Sequence, residues 1–188
     1  MNKLETILNN SITKTDQKFN NINIILGNYN KTYFDSKFPE EKIQLLCNYY
    51  SKNYKYCHNN TIRYTINKHI LNLSKNRSKS EKIENIKSLI IGNDSINYMI
   101  SINKVFNSHF SNSQNFHNEE NLEIIQFNIY KNIKLNIELN HDLNIYTVYL
   151  SCYYDKTDQS LIENLEKTIE NLNNILFNKK HTYSIIKK

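Results

Sequence analysis

The chain has 188 residues and a formal net charge of +6, with 2 Gly, 1 Pro and 3 Cys. This length is enough to bury a hydrophobic core without disulfides or metals, and three unpaired cysteines predict no disulfide framework. Two glycines are too few for a glycine-rich phosphate loop or a nucleophile elbow, so enzymes that depend on those motifs are not expected. No apolar window approaches the ~20 residues of a membrane span, and no signal peptide is evident, so we expect a cytoplasmic protein with no membrane partner.

The composition is strongly biased, with 34 Asn, 27 Ile and no Ala. Residue types with A/T-rich codons replace those with G/C-rich codons, which indicates an AT-rich genome. The apolar residues are spread evenly among the asparagines, so the Asn content is not evidence for a prion-like segment.

The N-terminal stretch predicts a long amphipathic helix that ends at Gly27, because apolar residues recur every three or four positions. Its apolar stripe consists of Leu4, Leu8, Ile12, Thr15, Phe19, Ile22 and Leu26. A loop is expected over residues 28–38. Pro39, followed by two glutamates, then predicts a second helix that ends near Tyr56.

Three more helices are predicted in the middle of the chain. The first is capped by Asn60 or Thr61, and its inward stripe comprises Ile62, Ile66, Ile70 and Leu73. Ser78 and Glu81 fit a capping box, which predicts a helix over 79–91. The last begins near Asp94 and extends to Phe110, and residues 111–121 have the composition of a linker.

The stretch from Leu122 to Tyr154 alternates apolar and polar residues, which is the period of a sheet with one buried face. A single strand of that length is implausible, so we predict a three-strand antiparallel meander with turns at 130–132 and 140–144. A long helix with an apolar stripe from Leu161 to Leu176 follows, and His181–Ile186 is predicted as a short final strand.

The predicted fold class is therefore α+β: a helical N-terminal half of about five helices, then the meander, the long helix and the short strand. The helical region covers 1–112 and contains a helical hairpin over 39–80. The sheet-and-helix region covers 120–188. The two regions are either separate domains or one continuous domain.

Candidate catalytic and metal-binding residues are few. Cys57 and His58, with Cys47 ten residues earlier, lack the close cysteine spacing of zinc sites. A junction between the two regions is the one place where we consider an enzyme site, formed by some of His109, His117, Glu119 and Glu120. We predict no catalytic residue, no metal and no cofactor.

The strongest functional signal is a run of positive charge. The stretch between Glu41 and Glu81 contains eight lysines and arginines and no acidic residue, and tyrosines are interleaved with them. Cations combined with aromatic rings suit phosphate contacts and base stacking, but a basic face also suits an acidic protein surface. The predicted partner-binding residues are Lys52, Lys55, Tyr56, Arg63, Tyr64, Lys68, Lys75, Arg77 and Lys79.

These observations predict a non-catalytic protein-binding adaptor, inhibitor or assembly subunit whose partner is an acidic protein surface. The alternative is a nucleic-acid-binding protein that contacts phosphates through residues 42–80. A basic face with no specific partner, and an enzyme at the junction, remain open as well.

Overall fold

A computed structural model describes residues 6, 20–66, 68–75, 77–92, 97–108, 118–154, 158, 160–177 and 185–187. Most of them lie in antiparallel strands, and two helices accompany the strands. The elements are β1 (Asn20–Tyr29), β2 (Phe34–Asp35), β3 (Lys37–Phe38), α1 (Glu40–Asn53), β4 (Tyr56–Ile66), β5 (His69–Ser74), β6 (Arg77–Gly92), β7 (Asn97–Asn107), β8 (Asn118–Tyr130), β9 (Ile133–Asn140), β10 (Ile145–Tyr153), α2 (Leu161–Phe177) and β11 (Ile185–Lys187).

Eight of these strands form a closed barrel. Their order around the wall is β1–β7–β6–β5–β4–β8–β9–β10, and β10 pairs with β1 to close the ring. Every pairing in the wall is antiparallel. Closure leaves no free edge among these eight strands. The short strands β2, β3 and β11 add to β1, β10 and β6, outside the ring.

The hydrophobic core lies outside the barrel wall, between the wall and the helices. On β9 and β10 the buried apolar residues alternate with polar ones, so one face of the wall is apolar and the other lines the lumen. Helix α2 covers the apolar face with five residues that are almost fully buried: Leu161, Leu165, Ile169, Leu172 and Leu176. Burying each of these side chains contributes about 1.5–3 kcal/mol, which makes α2 a main anchor of the wall.

The α+β fold class with a helical N-terminal half is wrong. The three helices predicted in the middle of the chain are replaced, where the structure describes these residues, by the four wall strands β4 to β7, over 56–66, 69–74, 77–92 and 97–107. Ile62 and Ile66 fit a helical stripe, but they also fit a two-residue period with Tyr64, and β-branched side chains favour strands. The predicted capping box at Ser78 and Glu81 lies within β6, where both residues pair with β5.

The first predicted helix is also wrong where the structure describes it. Residues 20–29 form β1, and Gly27 lies inside this strand instead of ending a helix. The stripe from Leu4 to Phe19 lies outside the described residues. In β1, Ile22, Ile24 and Leu26 face the core, so the two-residue period was present in the sequence.

Other predicted elements are present. The meander predicted over 122–154 consists of β8, β9 and β10, and their register is antiparallel throughout. The helix predicted after Pro39 is α1, although it ends at Asn53 and not near Tyr56. The predicted long helix is α2, and a short final strand is present at Ile185–Lys187. Within the described residues, no helix has the length and apolar character needed to cross a membrane.

Candidate functional site in the barrel lumen

The barrel lumen contains two connected cavities that share several lining residues. The first, here called the mouth cavity, has a volume of about 760 Å³ and reaches the turn between β5 and β6. The second, the inner cavity, has a volume of about 390 Å³ and is bordered by β1, β9 and β10. The residues that line both are Arg63, Asn72, Lys79, Glu81, Gln126, Asn136, Glu138 and Tyr149.

A buried ion pair lies where the two cavities meet. Arg63 of β4 donates from Nη1 and Nη2 to the two carboxylate oxygens of Glu138 of β9, over 3.0 and 2.8 Å. Its Nε donates to Oδ1 of Asn72 over 3.1 Å, and the Tyr149 hydroxyl donates to Glu138 Oε1 over 2.6 Å. A guanidinium has five N–H donors, so two remain for a ligand. The pair thus holds a planar cation in a fixed orientation in the lumen.

The electrostatics of this network keep Arg63 and Tyr149 each in one protonation state. Burial by itself would lower the pKa of Arg63, but the hydrogen bonds and negative charge of Glu138 raise it well above its ordinary range. Burial, and then the charge of Glu138, raise the pKa of Tyr149 well above 10. The guanidinium therefore stays charged, and the phenol stays a hydrogen-bond donor.

The mouth is basic. Lys75 and Arg77 flank the β5–β6 turn and line the mouth cavity, and both are exposed. Two residues further along β6, Lys79 points into the lumen and forms a 2.8 Å ion pair with Glu81. The lining of the mouth cavity thus includes three cations besides Arg63, which favours an anionic ligand.

The inner cavity is lined mainly by amides and hydroxyls. Asn136 accepts from Gln126 over 2.6 Å and donates to the Ser151 hydroxyl over 2.9 Å. Lys134 is the ammonium group at this end, and no carboxylate partner is found for it within the described ranges. The lumen therefore changes from ion pairs where the two cavities meet to neutral donors and acceptors around one lysine at the inner end.

The structure separates the predicted partner-binding residues into two groups. Arg63, Lys75, Arg77 and Lys79 line the mouth cavity. The others do not line either cavity: Lys52, Lys55, Tyr56, Tyr64 and Lys68. Of the second group, Tyr56 packs its ring against Phe127, with centroids 5.4 Å apart.

The other candidate residues do not form one site. His109 and His117 lie outside the described residues, while Glu119 and Glu120 belong to β8. Cys57 lines the mouth cavity, whereas Cys47 is on α1. The junction hypothesis therefore has no described histidine to support it.

A separate cluster was not predicted. Nε2 of His58 lies 2.7 Å from one carboxylate oxygen of Glu123, and Nε2 of His141 lies 3.4 Å from the other. This cluster joins β4, β8 and the β9–β10 turn on the surface.

Several lumen residues were missed by sequence reasoning, above all Lys134, Glu138 and Tyr149. Their polar positions within an alternating sheet were recognised, but a polar face was assumed to meet bulk solvent. The signal that would have identified them is the regular spacing of polar residues on both β1 and the meander. A barrel with a polar lumen has one polar face on every strand of its wall.

The lumen residues do not fit a divalent cation held by carboxylates. Such cations prefer several carboxylate and carbonyl oxygens, whereas both carboxylates that line the cavities are paired with cations. In the described part of the chain, no group of three or more His, Cys, Asp and Glu side chains is placed to hold a metal ion.

Comparison with solved structures identifies the fold. The S. pombe Pct1 RNA triphosphatase superposes with a TM-score of 0.69 at 12% identity, covering 94% of this chain and 91% of that one. It has also been solved in complex with the Spt5 CTD, and that structure gives a TM-score of 0.70. The Mimivirus capping enzyme triphosphatase gives a TM-score of 0.62 at 12% identity and covers 92% of this chain and 94% of that one. No protein-family model and no curated protein matches the sequence.

These matches contradict the functional prediction. At 12% identity the similarity is one of fold, and the fold is that of domains named as RNA triphosphatases, which are enzymes. The prediction of a non-catalytic adaptor, inhibitor or assembly subunit is therefore wrong, and its alternative, a nucleic-acid-binding protein, is wrong as a statement of the whole function because it names no reaction. It rested on missing glycine motifs, which a barrel lumen does not need.

Proposed function

We propose that this chain is a phosphohydrolase that acts on a polyphosphate end held in the barrel lumen, and that the 5′-triphosphate end of RNA is its substrate. The observation that carries the proposal is the lumen itself, which has a basic mouth leading to an oriented arginine. The names of the solved structures with the same fold supply the reaction class. The size of the cavities, about 760 and 390 Å³, suits a ligand of this kind.

The reaction needs little covalent chemistry from the protein. A water oxygen forms a bond to the terminal phosphorus, and the bond from that phosphorus to the bridging oxygen breaks. The products are inorganic phosphate, which keeps one proton of the water, and a diphosphate end, while the other proton passes to solvent. Catalysis of such a step consists mostly of positioning and of stabilising charge on the phosphoryl oxygens.

The lumen cations suit that task. Arg63 is fixed by Glu138 and Asn72 and retains two N–H donors for phosphoryl oxygens. Lys79 adds a second cation from β6, since Lys79 and Arg63 both pair in register with Asn72 of the intervening strand β5. Because both groups are already oriented before the ligand arrives, little reorganisation is required during the reaction.

Part of the predicted basic run lies at the mouth, where it would bind the RNA outside the lumen. Lys75 and Arg77 would contact the phosphates of the first nucleotides outside the lumen, so that the acidic partner of this run is the RNA substrate. Lys52 and Lys55, from the same run, lie away from both cavities and have no role in this proposal.

The test is phosphate release from RNA that carries a labelled terminal phosphate, measured separately with magnesium, with manganese and with a chelator. We expect release of inorganic phosphate and a product that keeps two phosphates. Replacing Lys79 by Ala should lower kcat/KM roughly 100-fold, since it removes a preoriented charge. Lys52→Ala is the matched control and should change kcat/KM less than about twofold.

Two results would contradict the proposal. One is the absence of released phosphate in all three conditions with folded protein. The other is an equal loss of activity in Lys52→Ala and Lys79→Ala, because that would locate the effect in overall charge and not in the lumen.

A further inference from the structure

The two ends of the lumen differ in how their charges are paired. Where the two cavities meet, Glu138 pairs with Arg63 and Glu81 pairs with Lys79, both over 2.8 Å. At the inner end, Lys134 lies opposite Ser151 of β10 in the register of the wall. A cation surrounded by neutral groups attracts an anion more strongly than one whose charge is already compensated.

The wall around Lys134 supplies neutral hydrogen-bonding groups. In register, Ser151 faces Asn23 of β1, and Asn21 lies two residues further along the same face. All of them line the inner cavity. These amides and hydroxyls provide donors to an anion without adding negative charge.

Asn21 provides an independent observation that points to a ligand at this end. Its Oδ1 atom is buried and has no hydrogen-bond partner within the described residues. A buried polar atom without a partner costs about 1–3 kcal/mol, so a ligand that satisfies this amide would bind more tightly. Because no hydrogen bond holds Oδ1, the amide is able to turn and present its N–H groups to an anion.

A divalent cation would lack oxygen ligands at this end. The carboxylates that line the inner cavity are Glu81 and Glu138, and both are paired with cations. Glu138 lies four residues from Lys134 along β9, which is about 13 Å of extended strand. The donors at the inner end thus match a phosphate group and not a metal ion.

We propose that the inner cavity is the subsite for the terminal phosphate group, and that it binds this group through Lys134 and Asn21 without a divalent cation bridging phosphate to carboxylate. The proposal rests on the proposed function for the class of ligand, but it does not require hydrolysis. It also sets the direction of the substrate, with the terminal phosphate innermost and the nucleotides toward Lys75 and Arg77.

The test is calorimetric binding of inorganic tripolyphosphate to the full chain, in a chelator and in magnesium. We expect the Kd in the chelator to be within about twofold of the Kd in magnesium or tighter. Lys134→Ala should weaken binding roughly 10- to 100-fold, the usual effect of losing a hydrogen bond to a charged group. The matched control is Lys131→Ala, which removes the same charge from an exposed turn three residues earlier.

Asn21→Asp provides a second variant of nearly the same shape. Its added carboxylate should weaken binding in the chelator, because it places negative charge beside the phosphate. Circular dichroism of each variant confirms that the fold is retained.

The outcomes separate this inference from the proposed function. Binding that is lost in the chelator and restored by magnesium would overturn it, as would equal effects of Lys134→Ala and Lys131→Ala. Absence of any tripolyphosphate binding would also overturn it. If tripolyphosphate binds in the chelator through Lys134 but labelled RNA is not hydrolysed, the inference stands and the proposed function fails. If RNA is hydrolysed but tripolyphosphate binding requires magnesium, the proposed function stands and this inference fails.

Discussion

Replacing Arg63 by Met should destabilise the fold, because it leaves the carboxylate of Glu138 buried without its cation. The side chains of Arg63 and Glu138 are 21% and 9% exposed, so solvent screens the pair only weakly. Breaking a buried pair by removing one partner costs about 3–5 kcal/mol. Tyr149 continues to donate to Glu138, and Arg63 is partly exposed, so we expect a loss near the lower end, about 3 kcal/mol.

The double variant Arg63→Met with Glu138→Leu should recover most of that loss. Removing both charges also removes the desolvation cost, and apolar replacements of a buried pair are often neutral or stabilising. We expect the double variant to lie within about 1 kcal/mol of the natural protein. The coupling between the two positions would then be about 2–3 kcal/mol.

Urea unfolding followed by circular dichroism measures these differences. For a chain of this size, a 3 kcal/mol loss corresponds to a Tm lower by roughly 6–12 °C. The loss should persist at high salt, since buried pairs are screened little. Lys167→Ala, which breaks the exposed pair with Glu163, is the control and should leave the midpoint unchanged. A cost below about 1 kcal/mol for Arg63→Met, or additive losses in the double variant, would refute this reasoning.

Two further predictions concern the core and the wall. Gly27→Ala should lower the free energy of unfolding by about 1–3 kcal/mol in urea, since an added Cβ would lie 2.7 Å from the Phe34 ring and against the Asp35 carbonyl oxygen. Unchanged stability would show that β2 moves aside easily. Burial raises the pKa of Cys152 from 9.0 to about 12, so between these pH values the folded chain keeps the thiol proton and the unfolded chain loses it. The stability that this difference contributes is fully present below pH 9 and is lost as the pH rises from 9 to 12. Between pH 9 and 12 the unfolding free energy of Cys152→Ala should therefore fall less steeply than that of the natural protein, and the two slopes should differ by about 1.4 kcal/mol per pH unit. Parallel pH profiles for the two proteins would contradict the burial of this thiol.

Sequence reasoning located the meander and both helices correctly because their patterns are local. The alternation over Leu122–Tyr154 corresponds to β8, β9 and β10, and the stripe from Leu161 to Leu176 corresponds to the buried side of α2. In the meander only the two-residue period of a strand fits the apolar residues, and in α2 only the 3.6-residue period of a helix fits them. Pro39 and the acidic residues after it were sufficient to place the start of α1.

The same reasoning failed over β4 to β7 because two periods fit the same residues. Ile62 and Ile66 are four positions apart, which suits a helix, but Tyr64 between them completes a strand period. In β6 the register shifts between Asn85 and Lys87, so the alternation changes phase within one strand. Such a bulge hides a strand from any reading that looks for a constant period.

The amino-acid sequence alone establishes which faces of the chain are apolar and where its excess of positive charge lies. That the polar face of the wall encloses a lumen follows from the fold and not from the local pattern, because it depends on β1 pairing with β10 across more than a hundred residues. The pairing of β4 with β8, which in turn pairs with β9, brings Arg63 to Glu138, 75 positions apart. A polar strand face has the same pattern whether it meets bulk water or a cavity, so a one-dimensional pattern does not distinguish a solvated surface from a binding site.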